Sequence, residues 1–295
     1  MDGYRTMWTG FGRSVNTFFV WLETQLKDGP QDAVNMAKAL GIQFEGDPDQ
    51  AYTGDTSASD AWLANHASEW GAFTLGVAST FPLELANAYA TVAAQGTYCS
   101  PTPVLSVTDP AGKTLKSGDF ANCHQVQYKD ATTGRTTTVS PDVFRAAADA
   151  ARCPVGQQSA YGKCDGGTDD AVSDEMHGRP IAGKTGTSEN ESTESFAGFT
   201  PTVAGAGTAV DPTNPQDYVT SGVSPQVDKA VVAAMYAYDQ RHAAKDFTKP
   251  PATIAYGASG RDTGTPSTKA TPSSNTGPTA AFTADSAVLT SRRRR

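Results

Sequence analysis

Three segments, Ile181 to Thr187, Ser195 to Phe199 and Thr202 to Val210, read as consecutive strands, and Asp228 to Arg241 reads as a helix with Val231, Val232, Met235 and Tyr236 inside. Almost everything before them reads as helix and loop. Val15, Phe18, Phe19, Leu22 and Leu26 recur at the spacing of one helix face, with Ser14 at the N-cap position. Pro30 to Leu40 reads as a second helix, with proline at its first position and Gly41 as its stop. Thr80-Phe81-Pro82 opens a third, which places Leu83, Ala86, Tyr89, Ala90 and Ala93 on one face and ends at Gly96. Pro141 to Ala151 reads as a fourth. Helices first, then a run of strands closed by a helix, is the pattern of an α+β domain.

The connecting segments are polar. Residues 45–70 and 154–178 are rich in Gly, Asp, Ser and Thr and read as loops, and residues 103–116 read as a hairpin turning at Asp109-Pro110-Ala111-Gly112. From Pro250 onward the chain is mostly Pro, Ser, Thr, Gly and Ala. Such a tail cannot bury enough apolar surface to offset the entropy of ordering it. The expected organisation is one domain over residues 1–250 and a disordered tail over 251–295.

Charge narrows the function classes. The chain has 23 basic and 31 acidic residues, a net charge of -8, which argues against a nucleic-acid partner. The run Arg292 to Arg295 reads as a solvated end. No stretch is long and apolar enough to span a membrane, and the first residues lack the basic-then-apolar order of a secretory signal. The four cysteines lie in loop-like surroundings. Cys153 and Cys164 bracket a polar loop that a local disulfide could staple, leaving Cys99 and Cys123 to pair. Reduced thiols and a zinc site are the competing readings, the latter weakened by the absence of any Cys-x-x-Cys. No metal or cofactor is expected.

The chemistry concentrates in Gly183-Lys184-Thr185-Gly186-Thr187-Ser188. On a strand, Lys184 supplies a cation and Thr185 and Thr187 supply hydroxyl donors, while Gly186 leaves room for a substrate backbone. Together they can hold a carboxylate. Ser14-Val15-Asn16 offers a hydroxyl that can pass a proton and an amide that can donate and accept. Each string has a bland alternative, a surface strand for the first and a helix cap for the second.

The two strings in this order, within longer similar blocks, resemble the transpeptidase domains of penicillin-binding proteins, particularly the large two-domain type. Gly12 to Val20 is similar to the family's second-motif helix. Thr74 to Val104 is similar to its long helix and the next strand. Ala182 to Asn190 resembles the third motif, and Ser195 to Pro201 the strand after it. The cysteine-bearing loops resemble those of actinobacterial members. The resemblance implies an antiparallel sheet with helices, and acyl transfer from the D-Ala-D-Ala end of a peptidoglycan stem peptide to an amine. β-Lactams mimic that end. It also implies a membrane-anchored parent acting on the extracytoplasmic face. Position by position, Ser14 matches the proton-relay serine, Asn16 the residue bonding the substrate amide, and Lys184 the motif lysine. Thr185 and Thr187 match the carboxylate-binding threonines, and the Thr187 N–H matches half of the oxyanion hole.

One element of the family pattern has no match. No Ser-x-x-Lys occurs anywhere in the sequence, and Thr24-Gln25-Leu26-Lys27, the nearest shape, follows Ser14 and reads as surface helix. The nucleophile and its lysine are therefore expected to be missing, as in an N-terminally truncated domain. Such a chain is expected to be inactive alone and to expose apolar surface. The competing classes are a non-catalytic binding module, a D,D-carboxypeptidase or β-lactamase relative, and a disulfide-stapled interaction domain.

Overall fold

A computed structural model of the chain describes residues 5–44, 60–115 and 120–256. Its centre is an antiparallel sheet of β5 (Ala182–Thr187), β6 (Thr193–Phe199) and β7 (Ala204–Val210), in that spatial order. The register pairs Lys184 with Ala197, Thr187 with Glu194, and Phe199 with Ala204. Two short pairs stand apart from it: β1 (Thr97–Tyr98) with β2 (His124–Gln125), and β3 (Gln127–Lys129) with β4 (Thr136–Thr138).

Both faces of the sheet are covered, as alternating side chains require. On one face lies α8 (Val223–Asp239), which contributes Val232 and Met235 to a core with Phe196, Ile181, Met176, Val172 and Val155. Gly205 and Gly207 of β7 let α8 approach closely: a Cβ at Gly207 would stand 2.6 Å from Val231 Cγ2. On the other face lie α5 (Pro82–Ala93) and α6 (Pro141–Ala150), where Tyr89, Val92, Ala148 and Ala151 meet Ala182 and Phe199. A second small core joins Val34 of α3 (Pro30–Ala39) to Ala64 of α4 (Asp60–Asn65), Ala67 and Trp70.

The α+β class, the second, third and fourth helices and the three strands agree with the sequence reading to within a few residues. Several local expectations are corrected. Part of the loop expected over 45–70 is helix α4, because Leu63, Ala64 and Ala67 find an apolar partner in Val34; residues 45–59 lie outside the described residues. Residues 154–178 contain α7 (Val172–Glu175), whose Val172 enters the core. The hairpin over 103–116 reduces to one bridge, Thr108 to Thr114, closed by Asp109, which accepts from the backbone N–H of Ala111 and Lys113. Among the described residues its apolar arm is left uncovered, and Leu105 is almost wholly exposed. Leu83 also faces outward rather than into the helix interface. The packed chain runs on past 250: α9 (Ala252–Ala255) leads to Tyr256, whose ring meets Trp8 at a tilt and Tyr161 edge-on. Most of the tail, residues 257–295, lies outside the described residues.

Cys99 pairs with Cys123, 24 residues on, and Cys153 with Cys164, 11 residues on. The reduced-thiol and zinc readings are thereby set aside. Among the described residues no helix is long and apolar enough to cross a membrane.

Candidate active site

Ser14 owes its position to the helix before it, not the one after. Helix α1 (Met7–Gly12) starts at a capping box between Thr6 and Thr9 and ends at Arg13. The Ser14 N–H then donates to Phe11 O and the Val15 N–H to Gly10 O. These are the paired bonds of a Schellman motif, with Ser14 at the position where glycine is usual. Its φ of 51° is accordingly left-handed. The expectation that Ser14 caps the next helix is corrected: α2 (Asn16–Thr24) has Val15 at its N-cap and no side-chain cap bond. Val15 is buried, Ser14 half-buried and Asn16 exposed. Leu26 lies beyond the end of α2 and is exposed, as is Trp21.

The Lys-Thr-Gly motif occupies β5, the edge strand, and among the described residues no strand pairs with its outer edge. The Gly183 N–H donates to Ala151 O at 2.8 Å and fixes the strand on the end of α6. Alternation separates the motif by face. Thr185 and Thr187 share the α8 side with their cross-strand partners Phe196 and Glu194, and Lys184 and Gly186 lie opposite. The Thr187 hydroxyl donates to Glu194 Oε2 at 2.7 Å, and the Thr185 hydroxyl donates to Thr168 Oγ1 at 2.8 Å. The room left by the missing Gly186 side chain is taken by Ser195, whose Oγ would lie 2.4 Å from a Cβ there.

Lys184 is half-buried, and its ammonium donates to Thr185 O at 2.8 Å. Burial pulls its pKa down to about 8, against the attraction of Asp228. Asp228, on α8, is only 1% exposed, and its Oδ1 has no hydrogen-bond partner. Burial, and then the neighbouring Asp169, push its carboxyl well above the ordinary range. Asp169 and Glu194 both act on Asp228, which in turn attracts Lys184, a group of acids that the sequence reading did not identify. The sequence holds no clear signal for Asp228, which stands beside Lys229 at the polar start of the helix.

No hydrogen bond among the described residues joins Ser14 or Asn16 to Lys184, Thr185 or Thr187. The loop after Cys164 connects the two regions instead. Arg13 donates to Asp165 O and pairs with its carboxylate at 3.5 Å. A Cβ on Gly12 would stand 2.8 Å from Gly166 O. Thr168 reaches Thr185 and hydrogen-bonds Pro154 O through its N–H at 3.0 Å. The Cys153–Cys164 disulfide closes the base of this loop. Chemically, the arrangement offers one titratable cation and two hydroxyls on an open strand edge.

The family model described as "Penicillin binding protein transpeptidase domain" matches residues 1–245. Penicillin-binding protein 1A of Rickettsia prowazekii is 29% identical over 203 residues, 68% of this chain and 22% of that protein, so the chain spans about a fifth of the length of this relative. Among solved structures, penicillin-binding protein 1A from Haemophilus influenzae aligns with a TM-score of 0.56 at 20% identity, covering 82% of this chain and 35% of that one. The PonA1 protein from Mycobacterium tuberculosis in complex with penicillin V aligns with a TM-score of 0.51, also at 20% identity, covering 82% and 58%.

Proposed function

The chain belongs to the penicillin-binding-protein transpeptidase domain family, and from that premise we propose that it carries the substrate-binding part of a D,D-transpeptidase cleft. In this reading the C-terminal carboxylate of a peptidoglycan stem peptide, or of a β-lactam, is held by Lys184, with Thr185 and Thr187 as hydroxyl donors. Ser14 acts as proton relay, and Asn16 bonds the substrate amide. The observation that carries the reading is Lys184 on the edge strand of the sheet, half-buried, with its ammonium on the Thr185 carbonyl. A partly desolvated ammonium attracts a carboxylate more strongly than a solvated one does. Both threonine protons are engaged in the free chain, so a bound carboxylate must draw the Thr187 hydroxyl away from Glu194.

The acyl acceptor is a separate matter. The sequence contains no Ser-x-x-Lys, and nucleophile and base act as a unit whose loss costs orders of magnitude in rate. This chain by itself therefore binds donor ends without forming an acyl-enzyme. Two disulfides support work in an oxidising compartment, on the extracytoplasmic side of the membrane.

Incubation with a fluorescent penicillin, read on a denaturing gel and by intact mass, tests the second statement. No covalent adduct is expected; a stoichiometric adduct would show that another residue, such as Ser14 or Thr24, serves as nucleophile. Titration with N-acetyl-D-Ala-D-Ala, followed by amide chemical shifts, tests the first. Saturable shifts along β5 that vanish in Lys184→Met support the carboxylate site, and their absence in the unaltered chain overturns it.

A further inference from the structure

Asp228, near the start of α8, is only 1% exposed, and its Oδ1 has no hydrogen-bond partner. Its side chain shares a hydrogen bond with that of Asp169. Two carboxyl groups can hydrogen-bond only through a proton, because an ionised carboxylate has no donor. Asp169 belongs to the loop that runs from Cys164 to α7, and the backbone fixes it there. Its N–H donates to Pro154 O at 3.0 Å, and its Oδ1 accepts from the Ala171 N–H at 3.0 Å. Beyond it the chain packs on α8, with Val172 and Met176 in one core with Val232 and Met235. The residue before it, Thr168, also donates its N–H to Pro154 O, and its Oγ1 accepts the Thr185 hydroxyl proton at 2.8 Å. The acid pair thus stands one residue from the acceptor that holds a threonine of the Lys-Thr-Gly strand.

We propose that Asp228 is buried as the neutral acid, that it donates its proton to the Asp169 carboxylate, and that this pair positions Thr185 by holding the Thr168–Asp169 segment against α8. The substrate role of Thr185 rests on the transpeptidase reading; the shared proton does not. An ionised carboxylate with an unpartnered oxygen is costly in the interior, and a group so placed takes up a proton instead. A second carboxylate at hydrogen-bond distance adds repulsion to that cost. With the proton on Oδ2, the orphan Oδ1 is a carbonyl oxygen, which costs less to leave unpartnered than a charged one. The other charges facing Asp228 do not reverse the balance. Glu194 of β6 repels, and Lys184 of β5 attracts, but more weakly than burial and Asp169 act. On α7, Glu175 is paired with Lys229 of α8 at 3.4 Å, and Asp174 is exposed. Strand β7 carries no titratable side chain. Burial, and then Asp169, therefore raise the Asp228 carboxyl well above its ordinary range. Separating the pair lets Asp228 reach water, where the ordinary value is about 3.9. The closed form binds the proton more tightly, so its advantage is complete below about 3.9 and is lost progressively as pH rises toward the raised value. One linked proton makes that loss about tenfold per pH unit.

The test follows the full chain without ligand, so its outcome is separate from that of the donor reading. The carboxyl-carbon chemical shift of Asp228 should be that of a neutral acid at about pH 6, well above the ordinary value. Hydrogen-exchange protection of the Thr168 and Asp169 amides, both bonded to Pro154 O, should fall about tenfold per unit between about pH 5 and 7. Asp228→Asn supplies a neutral donor of the same shape, so it should fold, keep the protection and remove its dependence on pH. Lys184→Met removes the facing cation and should move the Asp228 midpoint upward. An Asp228 carboxyl that titrates near its ordinary value of about 3.9 overturns the pair. So does a pH dependence of protection that is the same in Asp228→Asn as in the unaltered chain. If the Asp228 carboxyl is neutral while N-acetyl-D-Ala-D-Ala leaves the Thr185 amide unmoved, the carboxyl pair stands and the substrate role of Thr185 falls with the donor reading.

Discussion

Replacing Asp239 with alanine should destabilise the domain by about 3 kcal/mol at neutral pH, because a mostly buried arginine loses its counter-charge. Asp239 closes α8 and is buried. Its carboxylate accepts from Arg179 Nη1 at 2.7 Å, from the Thr200 hydroxyl at 2.9 Å and from the Thr202 hydroxyl. Arg179 leads into β5, and Thr200 and Thr202 form the turn between β6 and β7. One carboxylate thus ties the helix to both ends of the hairpin that carries the site. Breaking a buried pair by removing one partner commonly costs about 3–5 kcal/mol. The lower end applies, since Arg179 keeps the carbonyls of Asp239 and His242 at 2.8 and 3.0 Å. Burial alone would raise the Asp239 pKa, yet the bonds from Thr202, Arg179 and Thr200 outweigh it and hold the group below its ordinary value. Its contribution is therefore complete above the unfolded value, about 3.9, and is lost as pH falls through the lower folded value. Urea unfolding of both proteins at pH 7 and across pH 2–5 measures this. The gap between them should be widest at neutral pH and close toward the acid end. A cost below about 1 kcal/mol at pH 7, or a gap independent of pH, would refute the reasoning.

A Cys153→Ala/Cys164→Ala variant should cost about 3 kcal/mol for a loop of this length, read as a lower melting temperature. It should also broaden the Thr168 and Thr185 amide signals, since the staple holds the loop that bonds Thr185. Binding of N-acetyl-D-Ala-D-Ala should be strongest below pH 8 and fade as pH rises through about 8, where Lys184 gives up its proton; a flat profile to pH 10 would remove Lys184 from the carboxylate site. Gly207→Val should destabilise by about 1–3 kcal/mol in urea unfolding, because its side chain must displace Val231 from the sheet. Trp8→Phe should cost about 1–3 kcal/mol, by leaving the buried Asp149 carboxylate without the indole N–H it accepts from at 2.8 Å.

What the sequence determined by itself was whatever one segment can encode alone. Prolines at helix starts and glycines after their ends placed α3 and α5. Strand-like runs placed β5, β6 and β7, and the spacing of Cys153 and Cys164 around one polar loop pointed to a local staple. The Lys-Thr-Gly string could be assigned to a strand for the same reason. Tertiary structure decided what depends on two distant segments meeting. Ser14 looked like the cap of α2, but the way α1 ends and the burial of Val15 turned it into a left-handed closing residue. The threonine protons went to Glu194 and Thr168, one across the sheet and one in a loop. Asp228 became a buried carboxyl that attracts Lys184 only because α8 packs against the sheet. Backbone propensity acts over one or two turns of chain, whereas burial and charge pairing follow from the whole fold, and the chemistry of this site is set by burial and charge pairing.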